Sequence, residues 1–441
     1  MFNNQLHFIF FIITFFWIGC TINNGSEEID FDNKLASINI STFGNPIQDD
    51  PKIDAHLLIS VDDNVQFEGN IAIEIRGSSS QRFPKKSYSF ETRNENNEDL
   101  DVSLLGLPKE EDWILHGPYT DKTLIRNKFM YDLSINIGNY ASRTVFVELA
   151  INDEHQGLYI LMEKLKRGKN RIDITKLSNE DITGGYILKI DRAVENAPEA
   201  SFISSFPPPF STRNQQITFV FEEPSSDEIT ITQKNYITEY LANFETALDS
   251  EDFINPTSGY SAYINMASFI DYFLMNELAN NVDAFRLSTF ISKDKNEKLN
   301  MGPVWDFNYA LGNVDFCDAG ETDVWAHTFN ERCGHHNQQV PFWWSRFLED
   351  PTYVSQLKQR WNELRINAFS ESIFNEMIDA YSEFLKQHGG INKNFEVWDI
   401  LGVDVHPNNF VGNTHEEEIE YLKSWLKDRL TWLDSTIEGL N

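Results

Sequence analysis

Three residues with oxygen-bearing side chains are the strongest candidates for chemistry in this chain of 441 residues. Asp306 and Asn308 lie two positions apart in the segment Gly-Pro-Val-Trp-Asp-Phe-Asn, and Asp283 lies 23 residues upstream of Asp306. Mg²⁺ binds proteins through one or two carboxylates together with substrate phosphates. Burying a carboxylate among aromatic residues is unfavourable unless it is paired or metal-bound. The pattern therefore predicts a divalent-cation site and makes phosphoryl transfer the first hypothesis, with a purely structural role as the alternative.

Two further parts that phosphoryl transfer requires occur in the N-terminal part of the chain. The loop 76–82 is rich in serine, begins with Arg76 and contains Ser79, so it is a candidate cover for phosphates. Lys85 and Lys86 open the next predicted strand, where a lysine side chain can reach a phosphate. Taken alone, a Gly-Ser loop also suits a hairpin turn, and paired lysines also suit a protein surface.

Composition limits the classes of function. Hydrophobic residues make up 41% of the chain, which is enough for a large core and argues against global disorder. The net charge of −32 argues against a nucleic-acid partner, because contact with phosphates requires clustered lysine and arginine. An acidic surface would also repel ATP unless basic side chains were concentrated in the binding cleft.

The N-terminus has the pattern of an export signal. Residues 8–18 form an apolar run broken only by Thr14, which is too short to span a bilayer and suits a signal peptide. The run ends at Trp-Ile-Gly-Cys, which is similar to a bacterial lipobox. We therefore expect a signal peptide over 1–20, a lipid anchor on Cys20 and a polar tether over 21–35. A soluble secreted protein cut elsewhere and an uncleaved anchor are the alternatives.

Two more cysteines, Cys317 and Cys333, are close in sequence. In an exported protein they are expected to form a disulfide. The same window contains His327, His335 and His336, so a zinc site is the alternative, although the spacing matches no common zinc pattern. Free thiols are a third reading.

Hydrophobic periodicity predicts strands in the first half and helices in the second. An exception is a helix predicted over 121–137, between the early strands. The predicted strands cover 55–61, 70–76, 86–92, 144–151, 157–165, 185–191 and 217–222. The later helices are predicted at about 233–249, 260–280, much of 345–387, and 415–438. This order suggests an α+β fold with two lobes, and the acidic motifs lie near the junction.

Several motifs in collinear order resemble those of the spore coat protein H (CotH) kinase-like family. The motifs are Ile-Arg-Gly-Ser-Ser-Ser (75–80), Pro-Lys-Lys-Ser-Tyr (84–88), Leu-Leu-Gly-Leu-Pro (104–108), Asp-Trp (112–113), Asp-Lys-Thr-Leu-Ile-Arg-Asn (121–127), Gly-Leu-Tyr (157–159), Glu-Lys (163–164), Asn-Glu-Leu (276–278), Asn-Val-Asp (281–283) and Gly-Pro-Val-Trp-Asp-Phe (302–307). The resemblance covers about 70–345. It implies an atypical protein-kinase-like bilobal fold, with a β-rich N-terminal lobe and a mainly helical C-terminal lobe. It also implies phosphorylation of a protein with ATP and a divalent metal, Mg²⁺ or Mn²⁺.

The resemblance assigns roles to individual residues. Asp306 corresponds to the metal-binding aspartate and Asp283 to the aspartate of the catalytic loop. A lysine of Pro84-Lys85-Lys86 would contact phosphate, and the strand containing Glu163 would lead into the adenine-binding hinge. Many relatives have Trp-Asp-Phe-Asp, whereas Asn308 stands at the second aspartate here, so one negative charge is lost. The helix 121–137 also lacks a glutamate to pair with the strand lysine.

The sequence as a whole predicts an exported, lipid-anchored kinase-like protein of the cell envelope or cell surface. Residues 36–441 would form its domain, with a family core at about 70–345 and a helical extension over 346–441. Its partner would be a protein substrate, and its membrane contact would be the lipid anchor. Because ATP is scarce outside the cytoplasm, a non-catalytic surface-binding or adhesion protein on the same fold is the alternative.

Overall fold

The structure, a computed structural model, describes residues 34–194 and 197–441. The predicted signal peptide, Cys20 and nearly all of the predicted tether lie outside these residues. The strands are β1 (Ala36–Ser41), β2 (Ile53–Val61), β3 (Asn64–Arg76), β4 (Ser87–Arg93), β5 (Asp112–His116), β6 (Thr144–Ile151), β7 (Glu154–Glu163), β8 (Tyr186–Ile190), β9 (Ser201–Ile203), β10 (Thr218–Glu223), β11 (Thr289–Lys293) and β12 (Leu299–Met301). The helices are α1 (Arg126–Asn136), α2 (Ile231–Asp249), α3 (Met266–Ala279), α4 (Phe329–Cys333), α5 (Trp343–Phe347), α6 (Pro351–Arg365), α7 (Glu371–Gln387), α8 (Gly390–Val397) and α9 (His415–Glu438).

The first seven strands form a closed barrel in the order β1-β2-β3-β4-β5-β7-β6. A parallel pairing of β1 with β6 closes it, and the other neighbours are antiparallel. Alternation along the strands places apolar side chains such as Ile38 and Ile40 in the interior, where they are fully buried. A closed seven-strand barrel is not a typical kinase lobe.

A second, antiparallel sheet has the order β12-β11-β8-β10-β9. Its central strands β8 and β10 correspond to two strands predicted from the sequence, and they pair with each other, with Val220 opposite Lys189. Strands β11 and β12 were not predicted. They follow α3 and lead directly into the segment that contains Asp306.

The β-rich first half followed by helices confirms the predicted α+β class at this level of detail. The predicted helix 121–137 starts later than expected, at Arg126. The Asp121 carboxylate accepts hydrogen bonds from the backbone N–H groups of Thr123 (3.1 Å) and Arg126 (2.9 Å). These bonds stabilise a turn that precedes the helix, because a short acidic side chain competes for backbone donors at such positions.

The C-terminal helices contact both halves of the chain. Helix α7 packs against α9, and α8 packs against β7 of the barrel. None of the helices within the described ranges is both long enough and apolar enough to cross a membrane.

Candidate active site

A cleft of about 380 Å³ opens between the barrel and the second sheet. The barrel side contributes Arg76 at the end of β3, the loop that follows it, and His116 at the end of β5. The opposite side contributes strands β8 and β10 and the segment 305–309. Lining residues with functional groups include Arg76, Ser79, Lys85, His116, Lys164, Lys189, Asp191, Arg192, Glu222, Asp283, Asp306 and Asn308.

Helix α1 holds the backbone around Asp306. The Asp306 N–H donates a hydrogen bond to the Tyr131 hydroxyl (3.1 Å), and the Phe307 N–H donates to Asn127 Oδ1 (2.7 Å). The Tyr131 ring also stacks on Trp305 at a centroid distance of 5.7 Å. Asp306 has a φ of 65°, a left-handed conformation that is uncommon outside glycine and is found at functional sites. These contacts fix the position of its carboxylate at the cleft wall.

The Asp306 carboxylate is electrostatically unfavourable as an anion. Burial raises the pKa of Asp306 to about 7, and the negative charges of Asp283 and Asp191 act in the same direction. Arg76 opposes the shift. Among the described residues the carboxylate has no hydrogen-bond or ion-pair partner. A cation beside it would stabilise the ionised carboxylate and offset the rise in pKa.

Asp283 lies in the same cleft and is oriented by a buried arginine. Arg286 Nη2 donates to Asp283 Oδ1 at 2.7 Å, and Arg286 Nε donates to the Val282 carbonyl at 2.8 Å. Arg286 is 2% exposed, whereas the Asp283 side chain is 21% exposed. The arginine therefore fixes one carboxylate oxygen and leaves the other at the cleft.

The oxygen donors of the cleft fit a hard divalent cation. Asp306, Asn308, Asp283 and Asp191 all line it. Their carboxylates do not form a tight group of three, but Mg²⁺ needs only one or two carboxylates when phosphates supply other ligands. Within the described ranges, the one tight acidic group consists of Asp101, Glu110 and Glu111. Lys166 pairs with two of these three residues.

Arg76 and Ser79, the residues predicted on the loop, lie in the cleft. The Arg76 guanidinium lies 5.8 Å from the centre of the Trp305 ring. Burial lowers the pKa of Arg76, and the negative charge of Asp306 opposes that change. Arg76 is therefore a basic group beside the candidate cation site.

The two predicted lysines both donate hydrogen bonds to the protein itself. Lys85 lines the cleft, but its Nζ donates to the Leu158 carbonyl and to Asn394 Oδ1, each at 2.6 Å. Burial lowers the pKa of Lys85 well below its ordinary value. Lys86 Nζ donates to the backbone carbonyls of Gln81 and Phe83, and Lys86 is not among the lining residues.

Glu163 is fully buried and lies away from the cleft. Its neighbours Met162 and Lys164 line the cleft, and alternation along the chain directs Glu163 to the opposite face. There it accepts hydrogen bonds from Arg143 at 2.7 and 3.0 Å and from the Tyr140 hydroxyl at 3.2 Å. These contacts are those of a structural ion pair.

The CotH kinase protein family model matches residues 73–433, which include every cleft residue described above. The chain belongs to the CotH kinase family. The match extends past residue 345, the predicted end of the family core, as far as helix α9. No curated protein matches the chain.

This CotH kinase family member also has cleft residues that sequence reasoning missed. Lys189 Nζ lies 2.7 Å from Glu222 Oε1 and 3.6 Å from Asp191 Oδ2. Lys189 is on β8 and Asp191 directly follows that strand, two positions further along, so their side chains share a face. This spacing in the sequence could have identified the two residues as a pair. Glu222 gave no such signal, because it lies at a bulge in β10, where the pairing register shifts.

The cysteine window lies near the cleft on the helical side. A disulfide joins Cys317 to Cys333. His327 contacts buried Glu277 through Nδ1 at 2.7 Å, and His336 lies 3.4 Å from Arg286. The described residues contain no metal-ligand group drawn from these histidines and cysteines, so the zinc alternative has no structural support.

Proposed function

We propose that the cleft transfers a phosphoryl group from ATP to a hydroxyl group of a protein, with a divalent cation such as Mg²⁺ or Mn²⁺. One observation carries the proposal: the Asp306 carboxylate has no hydrogen-bond or ion-pair partner among the described residues and lies with Asp283 in one cleft. Membership of the CotH kinase family supports it. The barrel and the helical part would serve as the two lobes of a kinase-like arrangement.

In this proposal Asp306 and Asn308 hold the cation, which would neutralise charge on the phosphates when bound. Asp283 accepts the proton of the acceptor hydroxyl, and Arg286 keeps its carboxylate in position. Arg76 and Lys189 provide positive charge for the phosphates. Ser79 remains a candidate phosphate contact, whereas Lys85, Lys86 and Glu163 would need to break existing contacts to act on nucleotide.

The deciding experiment is ATP binding and phosphate incorporation by the purified full chain. We expect a thermal shift with ATP and Mg²⁺, incorporation of labelled phosphate, and loss of both in Asp306→Ala. Asp428→Ala is the matched control, because it makes the same substitution at an exposed acid on α9. The proposal fails if wild-type protein shows neither a nucleotide-dependent shift nor incorporation.

One observation favours a second function, non-catalytic binding at the cell surface. Both predicted phosphate-binding lysines are engaged by protein acceptors, and Asn308 supplies no negative charge. The melting temperature of such a protein would not change when ATP and Mg²⁺ are added. The same measurement therefore separates the two functions.

We also propose that the protein is exported and anchored by lipid at Cys20, which lies outside the described residues. The support is the apolar run and the lipobox-like segment of the sequence. Cys20→Ala should move the protein from the membrane fraction to the soluble fraction. Unchanged fractionation would remove the proposal.

A further inference from the structure

A second pocket, of about 220 Å³, adjoins the cleft at Asp191 and Arg192, which line both. Its remaining lining residues are Ile190, Ala193, Gln216, Ile217, Thr218, Arg286, Asn337, Gln338 and Gln339. They come from the end of β8 and the residues after it, from the start of β10 and the residues before it, from the turn after α4, and, for Arg286, from the segment between α3 and β11. We call this space the amide pocket.

The amide pocket lies directly behind the candidate catalytic carboxylate. Arg286 forms part of its wall and donates to Asp283 Oδ1 at 2.7 Å. On the cleft side, Arg192 Nη1 donates to Ser78 Oγ of the serine-rich loop at 3.1 Å. A molecule that occupies the amide pocket is therefore close to Asp283, while the main cleft remains free for nucleotide.

The lining is suited to neutral groups that donate and accept hydrogen bonds. Gln216, Asn337 and Gln338 contribute amides, and Thr218 contributes a hydroxyl. These side chains can pair with peptide amides, hydroxyls and other amides, whereas they offer little to an apolar side chain. Asp191 and Arg192 place one charge of each sign at the junction with the cleft.

The orientation of the Gln339 side chain indicates that the pocket favours a hydrogen-bond donor. Gln339 Nε2 donates to the carbonyls of Cys333 (3.0 Å), His336 (2.9 Å) and Gln338 (3.2 Å), which fixes the orientation of the amide. Its Oε1 is buried and has no hydrogen-bond partner among the described residues. An unpaired buried acceptor is unfavourable, and because Gln339 lines the pocket, a donor that reaches this oxygen would satisfy it.

We propose that the amide pocket is the acceptor subsite, and that it takes a small polar side chain with a hydrogen-bond donor next to the hydroxyl that is phosphorylated. This inference rests on the proposed phosphoryl transfer. The acceptor is a polypeptide in which serine, threonine, asparagine or glutamine neighbours the phosphorylated residue. A peptide is favoured over a sugar, because the described residues that line the pocket include no aromatic ring on which a sugar face could pack.

The test uses the full chain, immobilised without nucleotide, and a library of peptides with one central serine and varied neighbours. Asn337→Trp fills the pocket from an exposed position, and His335→Trp is the matched control on the same turn, outside the pocket. Gln216→Trp is a second filling variant at another exposed position, so that the test does not depend on one variant folding.

Wild type and His335→Trp should retain peptides with a polar donor beside the serine about 3- to 10-fold better than apolar ones, the range for one hydrogen bond. Both filling variants should lose this preference while keeping the wild-type melting temperature. Retention that is absent, or equal in all four proteins, overturns the subsite. Pocket-dependent retention of maltotriose without retention of peptides would assign the pocket to sugars and also overturn it.

A second arm separates the subsite from the proposed function. The same library is incubated with ATP and Mg²⁺, and phosphate on the central serine is measured. Transfer that follows the retained sequences supports both proposals. Pocket-dependent retention without any transfer overturns the phosphoryl-transfer proposal and leaves the pocket as a peptide-binding site.

Discussion

Asp306 and Lys85 both line the same cleft and both have strongly shifted pKa values, yet their charged atoms are in opposite situations. The Asp306 carboxylate has no hydrogen-bond partner among the described residues, and nearby acids make its ionisation less favourable. Lys85 Nζ has two acceptors at 2.6 Å, one of them on α8. The difference indicates which charge is available to a ligand and which one joins α8 to the barrel.

The same distinction applies to a second pair of charged residues. Glu163 is fully buried and its carboxylate is paired with Arg143, so it stabilises the C-terminal end of β7. Lys189 is paired with Glu222 but its side chain is 24% exposed at the cleft. A partly exposed pair can open to a phosphate, because separating it leaves no buried charge alone.

The largest effect is expected from Asp306→Asn. The unfolded carboxyl loses its proton near pH 3.8 and the folded one near pH 7. Between these values the folded state binds a proton that the unfolded state does not, so stability falls as pH rises from about 4 to 7. The whole shift corresponds to about 4 kcal/mol, and because Asp306 is partly exposed to solvent the variant should be about 2–3 kcal/mol more stable than wild type at pH 8, and should lose ATP-dependent incorporation.

Thermal unfolding of both proteins from pH 4 to pH 8, without divalent cations, measures this. Added Mg²⁺ should raise the melting temperature of wild type at pH 8 and leave the variant unchanged. Equal stability of the two proteins across the whole pH range would show that ionising the Asp306 carboxyl does not destabilise the folded protein.

Lys85→Met should have the opposite outcome. It removes the Lys85 donor from the Leu158 carbonyl and leaves Asn394 Oδ1 with only the Leu158 N–H as a donor, at 3.2 Å, so the protein should lose about 2 kcal/mol of stability. ATP affinity should change less than about twofold. Lys109→Met, at an exposed lysine, is the control. A stable Lys85→Met protein that no longer binds ATP would make Lys85 the phosphate ligand and reverse the comparison.

Sequence reasoning identified residue types better than it identified their partners. The α+β class and the candidate acids at 283 and 306 could be predicted from the sequence, because periodicity and a carboxylate among aromatic residues are local signals. The partners of Lys85 could not be predicted from the sequence, since Asn394 is 309 residues away along the chain. Closure of the barrel depends on the parallel pairing of β1 with β6, which leaves no local pattern in either strand.

Lys189→Met should weaken ATP binding about 10-fold, which corresponds to about 1.4 kcal/mol, with a smaller effect on folding. The reason is that Lys189 carries positive charge into the cleft while its ion pair with Glu222 is partly exposed. Lys189→Arg retains the charge and should retain most of the affinity. Isothermal titration with ATP and Mg²⁺ gives the comparison. Unchanged affinity in Lys189→Met would leave Arg76 as the principal basic contact.

The smallest effect is expected from Tyr131→Phe, which removes the hydroxyl that accepts the Asp306 N–H. Loss of one buried hydrogen bond should lower stability by about 1 kcal/mol. Tyr140→Phe is a matched control, because its hydroxyl also makes one hydrogen bond, to Glu163, away from the cleft. The two variants should lose similar stability, but only Tyr131→Phe should also raise the Mg²⁺ concentration needed for half-maximal incorporation, since its backbone contact holds Asp306 in position. Equal Mg²⁺ requirements in the two variants would mean that the left-handed backbone at Asp306 is maintained by the rest of the segment, and that the Tyr131 hydroxyl contributes only to folding.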